Sequence, residues 1–354
     1  MFYPLKFKSL YKDYIWGGRN LEKLGKILPE GIVAESWEIS CNEDGISIVE
    51  NGEFKDIALP VLIKRFGKDL IGTSLDNSAL KTFPLLIKLI DANDKLSVQV
   101  HPDDSYAKIH ENGGLGKNEM WYIISARPGA RLVYNVLPGV TKEIFAKAIE
   151  DDTVEQFLNY VPVRQGDVLN IPAGLIHAIG EGIVLAEIQQ NSNTTYRVYD
   201  YNRVGNDGQK RPLHIEKSLD VINFSSAENQ AKAKGLEVRL SLNSNVTYYI
   251  ANQYFCAQLY NIYGYKNEDA NGSKFEIYIF IEGNCRLKYE SGEIDFKAGE
   301  SALIPASMGK YTLEGKFRAL KTFVPNIEND VIKPLMKAGF SEDRIYENVC
   351  GLLK

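Results

Sequence analysis

Gly166-Asp-Val-Leu-Asn-Ile-Pro-Ala-Gly174 is echoed late in the chain by Gly299-Glu-Ser-Ala-Leu-Ile-Pro-Ala306. Each copy runs from a glycine turn and an acid into a short apolar strand that stops at Ile-Pro-Ala, because proline cannot donate to a sheet ladder. Each follows a longer strand-like run. In the first copy this is Glu119-Met-Trp-Tyr-Ile-Ile, and in the second it is Phe275-Glu-Ile-Tyr-Ile-Phe-Ile. The repeated order of strand, glycine turn, strand and Ile-Pro-Ala predicts an internal duplication at domain scale. In the second copy Met308 falls near the place of His177, and no Glu/His pair precedes it. The second unit is therefore expected to bind no metal.

The rest of the chain extends this β reading. Ser36-Trp-Glu-Ile-Ser, Leu85-Leu-Ile-Lys-Leu-Ile, Leu96-Ser-Val-Gln-Val and Ile183-Val-Leu-Ala-Glu-Ile are short strand-like segments separated by Gly, Asn and Asp turns. Such spacing predicts a mainly β sandwich or barrel. A few short helices interrupt it. Pro60 stands at a first helical position. Thr141 precedes Lys142 to Glu150, with Ile144, Phe145, Ala148 and Ile149 on one face. Thr153 and Gln156 have the spacing of a capping box. Ser341 can cap Glu342 to Glu347.

A length of 354 residues makes two domains the default. Ser225-Ser-Ala-Glu-Asn-Gln-Ala-Lys-Ala-Lys-Gly235 is polar and weakly patterned, so the expected units are 1–235 and 236–354. The formal charge of −5 disfavours nucleic acid as the main partner, because phosphate backbones need a basic surplus. No apolar run approaches membrane-spanning length. The first residues, Met1-Phe-Tyr-Pro-Leu-Lys-Phe-Lys, lack an export pattern. The four cysteines form no CxxC motif. Reduced thiols in the cytoplasm are the expectation.

Chemistry concentrates in Ser97-Val-Gln-Val-His101-Pro-Asp-Asp, in Gly116-Lys-Asn-Glu119 and in the His177 that follows Ile171-Pro-Ala-Gly-Leu-Ile. Gln99 and His101 are two apart in an alternating run and share a strand face. Together with Glu119 and His177 they make a mixed N/O ligand set suited to zinc, with room for substrate or water. His110 and His214 lack this setting and read as ordinary histidines.

Taken in order, several blocks resemble the type I mannose-6-phosphate isomerase family, in its short bacterial form, within the cupin superfamily. They are Tyr14-Ile-Trp-Gly-Gly, Ala34-Glu-Ser-Trp-Glu-Ile-Ser, Phe83-Pro-Leu-Leu-Ile-Lys, Leu96-Ser-Val-Gln-Val-His-Pro-Asp, Gly116-Lys-Asn-Glu-Met-Trp-Tyr, Ile171-Pro-Ala-Gly-Leu-Ile-His-Ala and Gln190-Asn-Ser-Asn-Thr-Thr-Tyr-Arg-Val-Tyr-Asp. The resemblance implies two cupin domains, each a double-stranded β-helix or jelly roll, the second degenerate and without a metal. It implies one Zn2+ per chain on Gln99, His101, Glu119 and His177. The implied reaction interconverts mannose 6-phosphate and fructose 6-phosphate through a cis-enediol.

By the same resemblance Arg197 and Lys117 are the expected catalytic residues, and Lys88, Lys117 and Arg197 expected substrate contacts; Ser97 joins these contacts because it alternates with Gln99 along the strand. Lys88 also stands out by itself, as a lysine inside an apolar strand. Trp16 and Trp37 are expected to pack the core or the domain contact, and Glu38 is not assigned to the site. Asn193 occupies a position where many family members have Asp. The catalytic base is not identified, and oligomeric state is not legible. Two other readings remain at this stage: a non-enzymatic sugar-phosphate sensor and an iron dioxygenase. The complete ligand set and Arg197 disfavour the first. The Gln ligand disfavours the second, because redox iron sites prefer His-rich sets.

Overall fold

The protein is described by a computed structural model covering residues 1–204, 208–226 and 231–354. The centre of the polar stretch near the expected domain boundary, residues 227–230, lies outside the described residues. All ladders between the named strands are antiparallel.

Two sheets form the first barrel. The larger runs Leu10–Lys12, Glu35–Ile39, Leu85–Ala92, Ile183–Gln190, Glu119–Ala126 and Val168–Ile171. The smaller runs Tyr196–Tyr199, Val98–Val100, His177–Ala178, Arg131–Val136 and Leu158–Pro162. Strand alternation sorts the larger sheet's residues into two faces. Ile90, Trp121, Ile123 and Leu185 meet Leu132 and Tyr134 of the facing sheet inside the barrel. Leu85, Ile87, Leu89, Met120, Tyr122 and Ile188 point the other way. Every residue of Leu85–Ala92 and of Ile183–Gln190 is buried, as expected of strands covered on both faces. The outer face of the smaller sheet packs Val98, Val100, Val133, Ile176 and Val198 against Phe145 of the helix Lys142–Glu150.

A seven-stranded sheet begins at Leu236–Arg239 and carries three long strands, Cys256–Ala270, Glu276–Tyr289 and Gly309–Phe323. Strands of 14 or 15 residues exceed the usual five or six. These are long enough for each to serve both sides of a second barrel. The ladder between the second and third shifts register between Phe280 and Glu282, beside Gly283. Gly283 has φ +74°, and a Cβ there would fall 2.1 Å from the Lys316 carbonyl oxygen. Only glycine fits this bulge. Tyr278, Phe280, Phe296, Phe317 and Leu313 fill the second barrel.

The alternate residues explain how the two barrels join. Ile277, Ile279, Ile281, Leu259, Leu303 and Leu320 leave the second barrel's interior. They pack in one cluster with Ile87, Leu89, Met120, Tyr122 and Ile188 of the first. Polar links flank the cluster. Arg318 donates to the Tyr122 hydroxyl at 2.8 Å, and Ser301 donates to Glu38 at 3.2 Å. The first residues of the chain join the second sheet through a bridge between Leu5 and Leu303.

Most helix expectations hold in kind. Pro60 lies in the first turn of Leu59–Phe66. Thr141 accepts from the Ile144 amide at 3.3 Å, and Ser341 accepts from the Arg344 amide at 3.4 Å. Ile144 is a correction: it is exposed, and the buried face of its helix is Phe145 with Ala148. Thr153 is another. A single 3-10 turn, Val154–Phe157, follows it without a side-chain cap, and its hydroxyl turns back to the Ala148 carbonyl at 3.4 Å. Met308 is buried in the second barrel's core.

Candidate metal centre and cavity

The ladder register builds the site. In the smaller sheet of the first barrel Gln99 pairs with His177 on one side and with Arg197 on the other. In the larger sheet Glu119 pairs with Gln189, and Lys88 pairs with both Glu187 and Trp37. The two rows face each other across the barrel. His101 sits one residue past the strand Val98–Val100, where Pro102 ends the ladder and the Gly174 amide holds the His101 carbonyl at 2.9 Å. Gly116 brings the next segment close, since a Cβ there would fall 2.5 Å from the Asp103 backbone. The Lys117 amide then donates to the Pro102 carbonyl at 3.0 Å, which sets Lys117 and Glu119 beside His101.

His101, Glu119 and His177 are all buried, and their ligand atoms lie within 4.8 Å of one another. His101 Nε2 is 3.2 Å from Glu119 Oε1, and His177 Nε2 is 3.7 Å from Glu119 Oε2. The Nδ1 atoms face backbone carbonyls: Thr194 for His101 and Leu175 for His177, each at 2.9 Å. A carbonyl only accepts, so Nδ1 carries the hydrogen and the Nε2 lone pairs turn inward. This outer support is what metal-binding histidines use. Gln99 presents its amide end 3.3 Å from His177 Nε2.

Electrostatics favour the same end. Burial, and then Lys117, hold the His101 imidazole down to about 3. Burial lowers His177 as well, against the opposing pull of Glu119. Burial alone would raise the Glu119 carboxyl; Lys117, His101 and His177 outweigh it and keep the group well below the usual carboxylate range. The Lys117 ammonium stands 2.7 Å from Glu119 Oε1 and 3.4 Å from His101 Nε2. A positive charge thus already sits among these donors. Despite that closeness both Glu119 oxygens are buried without a hydrogen bond of ordinary geometry among the described residues. Two neutral imidazoles, an under-satisfied carboxylate and an adjacent amide fit a divalent cation.

A cavity of about 270 Å3 opens beside this group. All of Ser97, Lys88, Lys117 and Arg197 line it, together with Gln99. Arg197 donates to the Pro212 carbonyl at 2.9 Å, and its backbone amide donates to His214 at 3.1 Å. Its Nε is buried with no hydrogen-bond partner among the described residues. Lys88 is explained by an ion-pair network. It lies 3.2 Å from Glu187 and 3.8 Å from Glu35, which are fixed by the indole N–H groups of Trp121 and Trp37 at 2.8 and 2.6 Å. Burial alone would favour the neutral amine, but Glu35, Glu187 and Glu119 more than reverse that.

The sequence matches the family described as phosphomannose isomerase type I, catalytic domain, over residues 4–144. It matches mannose-6-phosphate isomerase, cupin domain, over residues 245–324. It is 38% identical to the mannose-6-phosphate isomerase ManA of Bacillus subtilis over 312 residues, covering 88% of this chain and 96% of that protein. The chain belongs to the type I phosphomannose isomerase family. The mannose-6-phosphate isomerase of Streptococcus mutans is 36% identical, over 88% of this chain and 95% of that one. The crystal structure of a mannose 6-phosphate isomerase from Bacillus subtilis superimposes with a TM-score of 0.82 at 30% identity, covering 90% of this chain and 99% of that one. A phosphomannose isomerase from Salmonella typhimurium shares the fold at a TM-score of 0.73 and 15% identity, with 91% and 99% covered.

Several cavity residues escaped the sequence reading of this phosphomannose isomerase family member. Glu35, Glu187, Asp44 and Arg211 line the cavity. Arg211 is gripped by Asp200 through two hydrogen bonds of 2.8 and 2.6 Å. Trp16 and Trp37 are buried as expected, but they also form cavity wall and are not merely packing. Glu38 points to the domain contact, while Glu35, three residues earlier, points inward. Asn193 lines the cavity and donates to Asn42 at 3.1 Å and to the Asp44 carboxylate. A carboxylate at 193 would face Asp44, whereas the amide suits it. His110 stacks on Tyr106, and His214 supports the Arg197 backbone.

Proposed function

We propose that this chain is a metal-dependent mannose-6-phosphate isomerase that interconverts mannose 6-phosphate and fructose 6-phosphate through a cis-enediol. The observation that carries this reading is the buried His101–Glu119–His177 group beside a cavity of lysines and arginine, in a chain of the phosphomannose isomerase family. Gln99, His101, Glu119 and His177 would hold one Zn2+. That ion would supply a Lewis acid for the substrate's oxygens. The units 1–235 and 236–354 are taken as catalytic and metal-free domains. The cytoplasm is the proposed location, in keeping with four free cysteines. Among the described residues no helix is long and apolar enough to cross a membrane.

Isomerisation moves one proton between C1 and C2 and another between their oxygens. Arg197 stays charged throughout, so it suits an enediolate oxygen or the phosphate. Lys117 can hold a charge or hand over a proton from Nζ. Ser97 and Lys88 bind and orient the sugar, and the Glu35–Lys88–Glu187 network keeps the Lys88 side chain in place. Trp16, Trp37, Leu96 and Ile179 form an apolar wall that limits water.

Alanine at Arg197 or Lys117 tests these roles in an assay that couples fructose 6-phosphate formation to a dehydrogenase. The expected result is a fall in kcat of ~100- to 1,000-fold, with metal content unchanged. A raised KM with kcat intact would make that residue a phosphate holder only. Wild-type kinetics in both variants would remove them from the site.

A further inference from the structure

A cavity of about 970 Å3 lies in the second barrel and not beside His101, Glu119 and His177. Its floor is an unusual cluster. Lys321 is only 3% exposed. Its ammonium lies 2.6 Å from Glu276 and 3.0 Å from Glu268. The Tyr311 hydroxyl donates to Glu276, and the Tyr260 hydroxyl donates to Glu268 at 2.9 Å.

The first barrel offers a direct parallel. There Lys88 is buried between Glu35 and Glu187 at the substrate cavity. Counting from the shared Ile-Pro-Ala, His177 stands six residues after Ile171 and Lys310 stands six after Ile304. Lys310 lines the second cavity. The second barrel thus lacks the imidazoles but has the same ammonium between two carboxylates, under an open cavity of its own.

We propose that this second cavity is a binding site for a sugar-like polyol. Stability alone does not call for the cluster, since buried ion pairs are often no better than well-packed apolar residues. Sugar hydroxyls both donate and accept. The floor matches them with carboxylate acceptors and with the Lys321 ammonium, which the Tyr260, Tyr278 and Phe323 rings also face. Tyr248, Tyr260 and Tyr289 add aromatic wall. Lys310, and Lys288 whose ammonium is 2.7 Å from Glu314, line the cavity and can meet an attached phosphate.

The test is equilibrium dialysis of the full chain against D-mannitol and against D-mannitol 1-phosphate, neither of which has a carbonyl to isomerise. Thr312 lines this cavity without joining the buried ion pairs, so Thr312→Trp narrows it and leaves the floor in place. Wild-type protein should bind one more molecule per chain than Thr312→Trp, at an unchanged melting temperature. An extra molecule of both probes identifies the polyol as the recognised part; an extra molecule of the phosphate ester alone adds the rim lysines. Tyr311→Phe keeps the shape and should weaken binding at that site ~10-fold, which decides the matter if Thr312→Trp does not fold. Equal stoichiometry in a folded Thr312→Trp, wild-type affinity in Tyr311→Phe, or no binding of either probe by wild-type protein would overturn the proposal.

Discussion

His177→Ala is expected to lose metal and isomerase activity together while the second barrel stays folded. His177 is fully buried and held by its neighbours in the smaller sheet, Gln99 and Tyr134, and its Nδ1 is tied to the Leu175 carbonyl. Alanine keeps the ladder and deletes one ring nitrogen from the proposed set. Loss of a direct ligand should weaken metal binding by more than the ~10- to 100-fold that loss of an outer partner costs. The packing effect is separate: the ring lies edge-on to Trp121 at 5.3 Å, so some stability goes too. Metal analysis of purified protein separates the two effects. Full metal occupancy in His177→Ala would take His177 out of the ligand set whatever happened to turnover.

Truncation after residue 240 should be still more damaging to the fold. It would uncover Ile87, Leu89, Met120, Tyr122 and Ile188, now packed against Ile277, Ile279 and Leu320. Each such side chain is worth roughly 1.5–3 kcal/mol when fully buried. Exposing five together creates an apolar sheet face that water does not tolerate and that other copies can cover. The cut also removes Leu303, the bridge partner of Leu5. The fragment is expected to be insoluble, or to melt far below the full chain, even with zinc supplied. A soluble fragment with full metal content and normal isomerase turnover would show the second barrel to be dispensable for the first. The proposed polyol site does not alter this expectation, because it sits on the inner face of the second sheet and the domain contact on the outer.

Residues with a two-residue period and a clear terminator were legible in the sequence. The alternation of Gln99 with His101, the Ile-Pro-Ala stop before His177 and the Glu119 strand all led to one place. The domain-scale repeat was legible for the same reason, since glycine and proline punctuate both copies alike. What escaped depends on which strands become neighbours. Lys88 was conspicuous as a charge in an apolar strand, but Glu187 in Ile183-Val-Leu-Ala-Glu-Ile was read only as part of a strand, and nothing local says that the two pair across a ladder. Glu35 and Glu38 differ by an odd number of positions, so one strand sends them to opposite faces. That parity was readable, but not which face was the cavity. Arg211 depends on Asp200, eleven residues away. Thr153 shows the reverse failure: a capping-box spacing was present, but the local backbone formed a 3-10 turn. In the second copy the count from Ile304 leads to Lys310, while Met308 goes to the core.

The most direct test of the central claim is turnover of mannose 6-phosphate to fructose 6-phosphate by the full chain, before and after metal removal. Protein stripped by a chelator should be inactive. Activity should return on adding zinc, reaching a plateau at about one ion per chain, because among the described residues only the first barrel carries the ligand set. Undiminished turnover by protein free of detectable metal, or no turnover after full reconstitution, would contradict the account.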